Sequence, residues 1–263
     1  MYEFTYHKAT SLDDAAKQLG NEDAKLVAGG MTLIPTLKLR LAKPSDLIDL
    51  AAIGGLTGIA EEGGGLKIGA MTRHVEVQRS AVVKRVIPAL AALAGMIGDP
   101  AVRNRGTIGG SISNNDPAAD YPSAVVGLGA IIVTTKREIA GEDFFTGMFE
   151  TALGQDEIVT AIKFPKPEAA AYQKFKNPAS RYAIVGVFVA KTAGGVRVAV
   201  TGAGPCVFRV PEMEAALAKS FSADAIKDIT IPDDGLNSDI HASAEYRAHL
   251  VGVMARRAVA ACA

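Results

Sequence analysis

The segment from Arg103 to Asp120 constrains this chain more than any other stretch of its sequence. It contains two arginines, three glycines and two aspartates, interspersed with hydroxyl and amide side chains. Because glycine has no Cβ, the pair Gly109–Gly110 lets backbone N–H groups come close to a ligand. Successive exposed N–H groups form a concave site for an anion such as a phosphate. The segment therefore predicts an anion-binding loop.

A second glycine pair, Gly29–Gly30, follows a short apolar strand candidate and precedes a helix candidate whose Pro35 suits a first helical turn. A strand, a glycine turn and a helix in this order place a helix N-terminus against an anion. Taken alone, this motif also fits a structural turn that binds nothing. Two glycine cradles in one chain favour a ligand with an extended, phosphate-bearing middle, such as a dinucleotide.

Composition narrows the class of protein. The chain has 263 residues, enough for one large domain or two smaller ones, and 49% of them are hydrophobic, enough for a packed core. The 28 basic and 28 acidic residues cancel, which argues against nucleic-acid binding. No apolar run reaches the roughly 18 residues of a membrane span. The first residues do not resemble a signal peptide, so we expect a cytoplasmic protein.

The sequence lacks the common metal and nucleophile motifs. Cys206 and Cys262 are too few for an all-cysteine iron–sulfur cluster, and the four histidines lack metal-ligand spacing. Rossmann, P-loop and nucleophile-elbow signatures do not occur. Asp116 and Asp120 fit an acid–base pair less well than carboxylates that orient a ligand such as a ribose, or turn and cap residues. We therefore predict no metal site and no catalytic residue in this chain.

Hydrophobic periodicity predicts an α+β protein with a domain boundary near residues 165–171. Strands are expected at 25–28, 46–50, 57–70 (two strands around a glycine turn), 130–135, 156–165, 171–176, 182–192 and 195–203, with a hairpin turn at 193–194. Helices are expected at 12–19, 33–39, within 72–97 (Thr72 as cap, a break at Pro88), 121–128, 142–153, 212–219, 223–229 and 243–262.

Several motifs together carry a family resemblance: Ala28–Leu33, Arg103–Ser111, Asp116–Asp120, Pro178–Ala183 and Ser243–Leu250. In this order they resemble the FAD-binding medium subunit of the xanthine dehydrogenase family of molybdenum hydroxylases, most of all that of aerobic carbon monoxide dehydrogenases. The resemblance covers nearly the whole chain. It implies an FAD-binding domain of the vanillyl-alcohol-oxidase (PCMH) type at 1–165, with subdomains of about 1–55 and 56–165. A small α+β C-terminal flavoprotein domain at 170–263 follows.

The resemblance also implies which residues bind FAD. Both glycine loops would hold the pyrophosphate, Asp120 would bind the adenosine ribose, and Asp116 is a further cofactor-binding residue. Tyr182 matches an aromatic position near the isoalloxazine. Ile97 and Val159 match positions that pack on the cofactor, with ordinary core packing as the alternative, and Lys174 matches a basic residue near the flavin, with a solvated charge as the alternative. The loop residues in this set are Ala28, Gly29, Gly30, Met31, Thr32, Leu33, Thr107, Ile108, Gly109, Gly110 and Ser111.

The implied function is electron transfer within an oxidoreductase complex. In that family a large subunit carries the molybdopterin cofactor and a small subunit carries two [2Fe–2S] clusters, in a dimer of heterotrimers. The medium subunit passes electrons from the clusters through FAD to an external acceptor such as a quinone or NAD⁺. Two alternatives stay open: a self-sufficient FAD oxidoreductase of the same fold, and a scaffold subunit that has lost its cofactor.

Overall fold

The first unit of the fold is a small parallel sheet with two helices. The structure is a computed structural model that describes residues 1–21 and 23–262. The strands of this unit lie in the order β1-β3-β2. Because β2 ends directly before Ala28 and Gly29, the sheet presents the first glycine loop at its edge. The elements are β1 (Thr5–Lys8), α1 (Leu12–Leu19), β2 (Lys25–Val27), α2 (Leu33–Lys38) and β3 (Asp46–Asp49).

The second unit combines an antiparallel sheet, in the order β4-β5-β10-β6-β7, with a layer of short helices. Its core is the largest of the molecule and is built from apolar residues of both layers. The elements are β4 (Ile59–Glu62), β5 (Gly65–Gly69), α3 (His74–Arg79), α4 (Ala81–Val86), α5 (Pro88–Gly95), α6 (Pro100–Arg105), α7 (Ile108–Asn114), α8 (Tyr121–Gly127), β6 (Ile131–Thr134), β7 (Glu138–Ala140), α9 (Gly141–Phe144), β8 (Phe145–Gly147), β9 (Glu150–Thr151) and β10 (Val159–Pro165).

The third unit is a four-stranded antiparallel sheet covered by two helices. Residues 183–190 of its second strand are all buried, because that strand lies between two layers. Phe188 belongs to the core of the second unit, whereas Val187 and Val189 pack under the C-terminal helices. The elements are β11 (Ala169–Lys176), β12 (Ala183–Thr192), β13 (Gly195–Thr201), β14 (Phe208–Arg209), α10 (Pro211–Lys219), a 3₁₀ turn (Ala223–Ile226) and α11 (Ala244–Ala261).

The ends of the C-terminal strands hold the segment between α7 and α8. The Thr201 hydroxyl donates to the carbonyl oxygen of Ala119 at 2.6 Å, and the N–H of Gly202 donates to that of Pro117 at 2.8 Å. The N–H of Ala183 donates to the Ala118 carbonyl at 3.4 Å. The third unit therefore positions the segment that carries Asp116 and Asp120.

The predicted helix at 142–153 is wrong. Only α9 is helical there, and β8 and β9 form a hairpin after it. The spacing of the phenylalanines matches a helical period, but Gly147 interrupts it, and a distant side chain organises the turn. The Asn115 amide donates to the carbonyl oxygens of Gly147 and Glu150, both at 2.8 Å. Phe149 lies at the tip of the hairpin with φ 57°.

Three local predictions also differ from the structure. Thr72 is not a helix cap, because its hydroxyl donates to the Gly58 carbonyl at 3.1 Å while α3 begins after Arg73. The glycine pair Gly109–Gly110 lies in the first turn of α7 rather than in a loop. The helix at 223–229 is a 3₁₀ turn. By contrast, the hairpin turn at 193–194 between β12 and β13 is confirmed. Within the described ranges, no helix has both the length and the apolar character needed to cross a membrane.

Candidate functional site

A cleft of about 550 Å³ lies where the three units meet. The loop after β2, the start of α7 and the turn before β12 form its walls. Almost all residues that the sequence analysis assigned to the cofactor line it. These are Ala28, Gly29, Gly30, Met31, Thr32, Leu33, Ile97, Thr107, Gly109, Gly110, Ser111, Asp116, Asp120, Val159 and Tyr182.

The loop after β2 is the main source of free donors in this cleft. The backbone N–H groups of five consecutive residues, 29–33, have no acceptor among the described residues. Gly30 has φ 71°, a left-handed conformation that glycine adopts without strain. Successive N–H groups with no partner in the protein form a nest for an anion. The loop therefore has donors available for an anion, and anion binding by this loop stays a prediction.

The opposite wall of the cleft, at the start of α7, differs from the prediction because its glycine N–H groups are bonded within the protein. The N–H of Gly109 donates to the Ala70 carbonyl at 2.8 Å, and that of Gly110 to the Thr107 hydroxyl at 3.1 Å. These N–H groups are therefore already satisfied by the protein. Glycine is needed here for close packing, because a Cβ at Gly109 would lie 2.6 Å from the Ala70 Cβ. This wall can bind a ligand through the Ser111 hydroxyl, because Ser111 lines the cleft and its hydroxyl has no protein partner among the described residues.

Asp120 lies at the base of the cleft in a buried polar network. It is 4% exposed, and its two carboxylate oxygens accept hydrogen bonds from the Tyr172 hydroxyl and, at 2.9 Å, from the Lys174 ammonium. Burial raises the pKa of the Asp120 carboxyl, and the Lys174 charge opposes that rise. The alternative of a solvated Lys174 is wrong, because its side chain is 2% exposed. The network links the second unit to β11.

Comparisons with known proteins identify the family of this chain. Residues 2–167 match the family described as the FAD binding domain in molybdopterin dehydrogenase. Residues 170–262 match the CO dehydrogenase flavoprotein C-terminal domain. The chain belongs to the FAD-binding medium subunits of the molybdenum hydroxylases. It therefore carries an FAD-binding domain and is a subunit of an oxidoreductase.

Individual relatives of this medium subunit match it over nearly its full length. The nicotine 6-hydroxylase medium subunit of Paenarthrobacter nicotinovorans is 35% identical over 97% of this chain and 95% of its own. The carbon monoxide dehydrogenase medium chain of Hydrogenophaga pseudoflava is 35% identical over 97% and 96%. The structure of reconstituted CO dehydrogenase from Oligotropha carboxidovorans superposes with a TM-score of 0.91 at 34% identity, over 99% of this chain and 98% of that chain. The two-domain fold is therefore that of carbon monoxide dehydrogenase medium subunits.

The cleft of this medium subunit fits a dinucleotide such as FAD. Its volume lies within the ordinary range for ligand pockets. A Cβ at Gly29 would lie 2.1 Å from the carbonyl oxygen of Arg105, so the two walls approach each other at a position where only glycine fits. The free N–H groups of residues 29–33 match the oxygens of a pyrophosphate. FAD, when bound, supplies the redox chemistry, and the protein supplies binding and orientation.

The remaining predicted cofactor residues separate into two groups. Ile97, Val159 and Tyr182 line the cleft, and Tyr182 is 46% exposed there, so an aromatic ring is available to a ligand. Val159 also belongs to the main core, and Ile97 packs against it, so core packing is confirmed for both residues, and their contact with the cofactor stays a prediction. Ile108 and Lys174 do not line the cleft. Ile108 is a fully buried core residue, and Lys174 acts through its bond to Asp120.

His74 and Phe149 are among the cleft residues that the sequence analysis did not assign to the site. His74 is the first residue of α3 and is 4% exposed. Its Nδ1 is buried without a partner among the described residues. No local pattern distinguishes it from an ordinary helix-start residue. Phe149 was expected within a helix, and only the tertiary bonds of Asn115 place it at the cleft.

His74 is expected to make the stability of this subunit depend on pH. Burial and then the Arg103 charge lower the pKa of His74 from 6.5 to about 4. Between these values the unfolded chain binds a proton that the folded chain does not, so the free energy of unfolding falls as the pH drops from 6.5 to 4. The expected loss is about 3 kcal/mol. Urea unfolding across this range, compared with a His74→Gln variant, measures it; an equal pH dependence in the variant would contradict the assignment.

Proposed function

We propose that this medium subunit passes electrons from [2Fe–2S] clusters of a small partner subunit, through its FAD, to an external acceptor such as a quinone or NAD⁺. Substrate oxidation belongs to a large partner subunit that carries the molybdopterin cofactor. The observation that carries the proposal is the row of unpartnered N–H groups at residues 29–33, which faces the α7 wall across one cleft. The expected assembly is a dimer of heterotrimers in the cytoplasm.

The chain's own side chains support a role in cofactor binding rather than in substrate chemistry. Cys206 and Cys262 are both free thiols, and two thiolates cannot hold a [2Fe–2S] cluster alone. Among residues 1–21 and 23–262, no three metal-binding side chains come together. Clusters that reduce the flavin therefore have to come from a partner. The proposal includes a cofactor-binding domain at 1–165 and a C-terminal domain at 170–263.

We assign the residues of the cleft as follows. Residues 28–33 hold the pyrophosphate, and Ser111 adds a hydroxyl from the opposite wall. Asp120 anchors the adenosine ribose, because a carboxylate has about four lone-pair sites and only two are used by Tyr172 and Lys174. Tyr182 approaches the isoalloxazine, with the Ile97 side chain as part of the apolar lining.

The flavin content of the purified complex tests the function. Co-expressed with its partner subunits, the complex is expected to be yellow-brown and to release stoichiometric FAD on denaturation. The isolated medium subunit is expected to show no steady turnover of its own, because the proposal assigns substrate oxidation to the large partner subunit. A colourless complex with intact clusters would favour the cofactor-free scaffold. Steady turnover by the isolated chain would favour the self-sufficient oxidoreductase.

A further inference from the structure

A second cleft of about 430 Å³ opens beside the first, between the β8–β9 hairpin and the C-terminal unit. Four residues line both clefts: Asp116, Phe149, Ser180 and Tyr182. A ligand in the second cleft therefore lies against the same aromatic side chains as a ligand in the first. No motif in the sequence predicted this second cleft.

The rim of the second cleft is apolar and exposed. Met148, Phe149 and Tyr182 are 48%, 56% and 46% exposed, which is unusual for three large neighbouring side chains at one opening. The hairpin holds Phe149 at a φ of 57°, and the Phe149 N–H donates to the Asn115 carbonyl at 3.1 Å. A bulky residue in this conformation is strained, and such residues cluster at ligand clamps. The aromatic rim is thus held in place by the fold.

The floor of the second cleft contains a buried guanidinium. Arg247 is 4% exposed and donates to the carbonyl oxygens of Ile184 at 2.7 Å and Gly202 at 2.9 Å, and to the Asp239 carboxylate at 2.7 Å. Its Nε is buried with no partner among the described residues. The lining contains two carboxylates, those of Asp116 and Asp239, and one guanidinium, that of Arg247, so its formal charge is negative. This charge disfavours phosphate groups and leaves a neutral ligand.

We propose that the second cleft binds a quinone, whose planar ring packs against Phe149 and Tyr182. The rim of this cleft supplies apolar and aromatic side chains, whereas about half of the lining residues are polar or charged. Sites for small planar ligands combine such aromatic contacts with polar groups that fix the orientation of the ligand, and aromatic rings pair favourably with one another. The acidic lining argues against NAD⁺, whose phosphates need donors or positive charge. The identification of this quinone as the electron acceptor rests on the proposed function. A quinone takes up two electrons and two protons to become a quinol, and fully reduced FAD releases the same number.

Calorimetric titration of the purified complex with ubiquinone-1 tests the site. The wild-type complex is expected to bind ubiquinone-1, and Met148→Glu is expected to weaken binding by about tenfold, because a carboxylate is costly against an apolar ligand. Met148 lines only the second cleft, so the flavin content is expected to stay unchanged.

Ile240→Glu is the matched control, since Ile240 is 95% exposed and lines neither cleft. Ser238→Trp, which fills the cleft from its other side, is expected to abolish binding.

The outcomes separate this proposal from the proposed function. Unchanged binding in both Met148→Glu and Ser238→Trp, or no binding to wild type, would overturn the quinone site. NAD⁺ binding that the same two substitutions abolish would overturn its ligand class. A complex without FAD would refute the proposed function alone, because the titration measures binding and needs no turnover.

Discussion

Replacement of Gly29 by alanine is expected to remove FAD from the medium subunit. An alanine Cβ would lie 2.1 Å from the Arg105 carbonyl oxygen and 2.8 Å from the Gly106 Cα. Both are backbone atoms shortly before α7, so no side-chain rotation relieves the clash. The two walls of the cleft have to separate, and the N–H groups of residues 29–33 lose their position. We expect the dissociation constant for FAD to rise by at least about tenfold, equivalent to ~1.4 kcal/mol in binding, and flavin retention after gel filtration to fall accordingly.

Gly54→Ala provides the matched control for this experiment. A Cβ at Gly54 would have no atom within 4 Å, and the residue does not adopt a left-handed φ, so alanine fits without strain. Its flavin content and thermal midpoint are expected to equal those of the wild type. Wild-type flavin retention in Gly29→Ala would show that the two walls do not have to touch for binding, and the proposed pyrophosphate clamp would be wrong.

Removal of the Asp120 carboxylate is expected to lower the free energy of unfolding by about 3–5 kcal/mol, because it leaves a buried ammonium without its counter-charge. Lys174 has a 2% exposed side chain and donates to Asp120 at 2.9 Å. Its one other partner among the described residues is the Met96 carbonyl, at 3.1 Å. The measurement is urea unfolding of the flavin-free Asp120→Ala and wild-type subunits, because Asp120 is also proposed to bind FAD and a bound ligand adds to the apparent stability.

A double-mutant cycle shows whether the buried charge is the cause. Lys174→Met removes the ammonium, so the double variant Asp120→Ala/Lys174→Met has no unpaired charge at this position. We expect it to be more stable than Asp120→Ala alone. A double variant as unstable as the sum of the two single changes would mean that the residues act independently. The loss in Asp120→Ala would then come from packing or from the Tyr172 hydroxyl.

Local sequence patterns predict this fold wherever a segment's own preference agrees with its tertiary surroundings. Alternating apolar residues located β12 and β13, and the turn at 193–194 needs only two residues to join them. The pattern failed at 142–153, where the phenylalanines follow a helical period but the backbone forms a hairpin. The side chain of Asn115 fixes that hairpin from 32 and 35 residues away in sequence. Hydrogen bonds between residues this far apart in sequence cannot be detected from a local hydrophobic periodicity.

The sequence by itself identified the family and the two glycine-rich segments that line the first cleft, because those segments are short and their motifs are local. Only the tertiary structure decided which of the two segments has free N–H donors. The α7 glycines bond to neighbouring carbonyl and hydroxyl groups, so the free N–H donors come from residues 29–33 instead. Likewise Asp120 meets Lys174 across 54 positions of sequence. Each outcome depends on which buried donor finds which acceptor, and the packing of the three units settles that pairing.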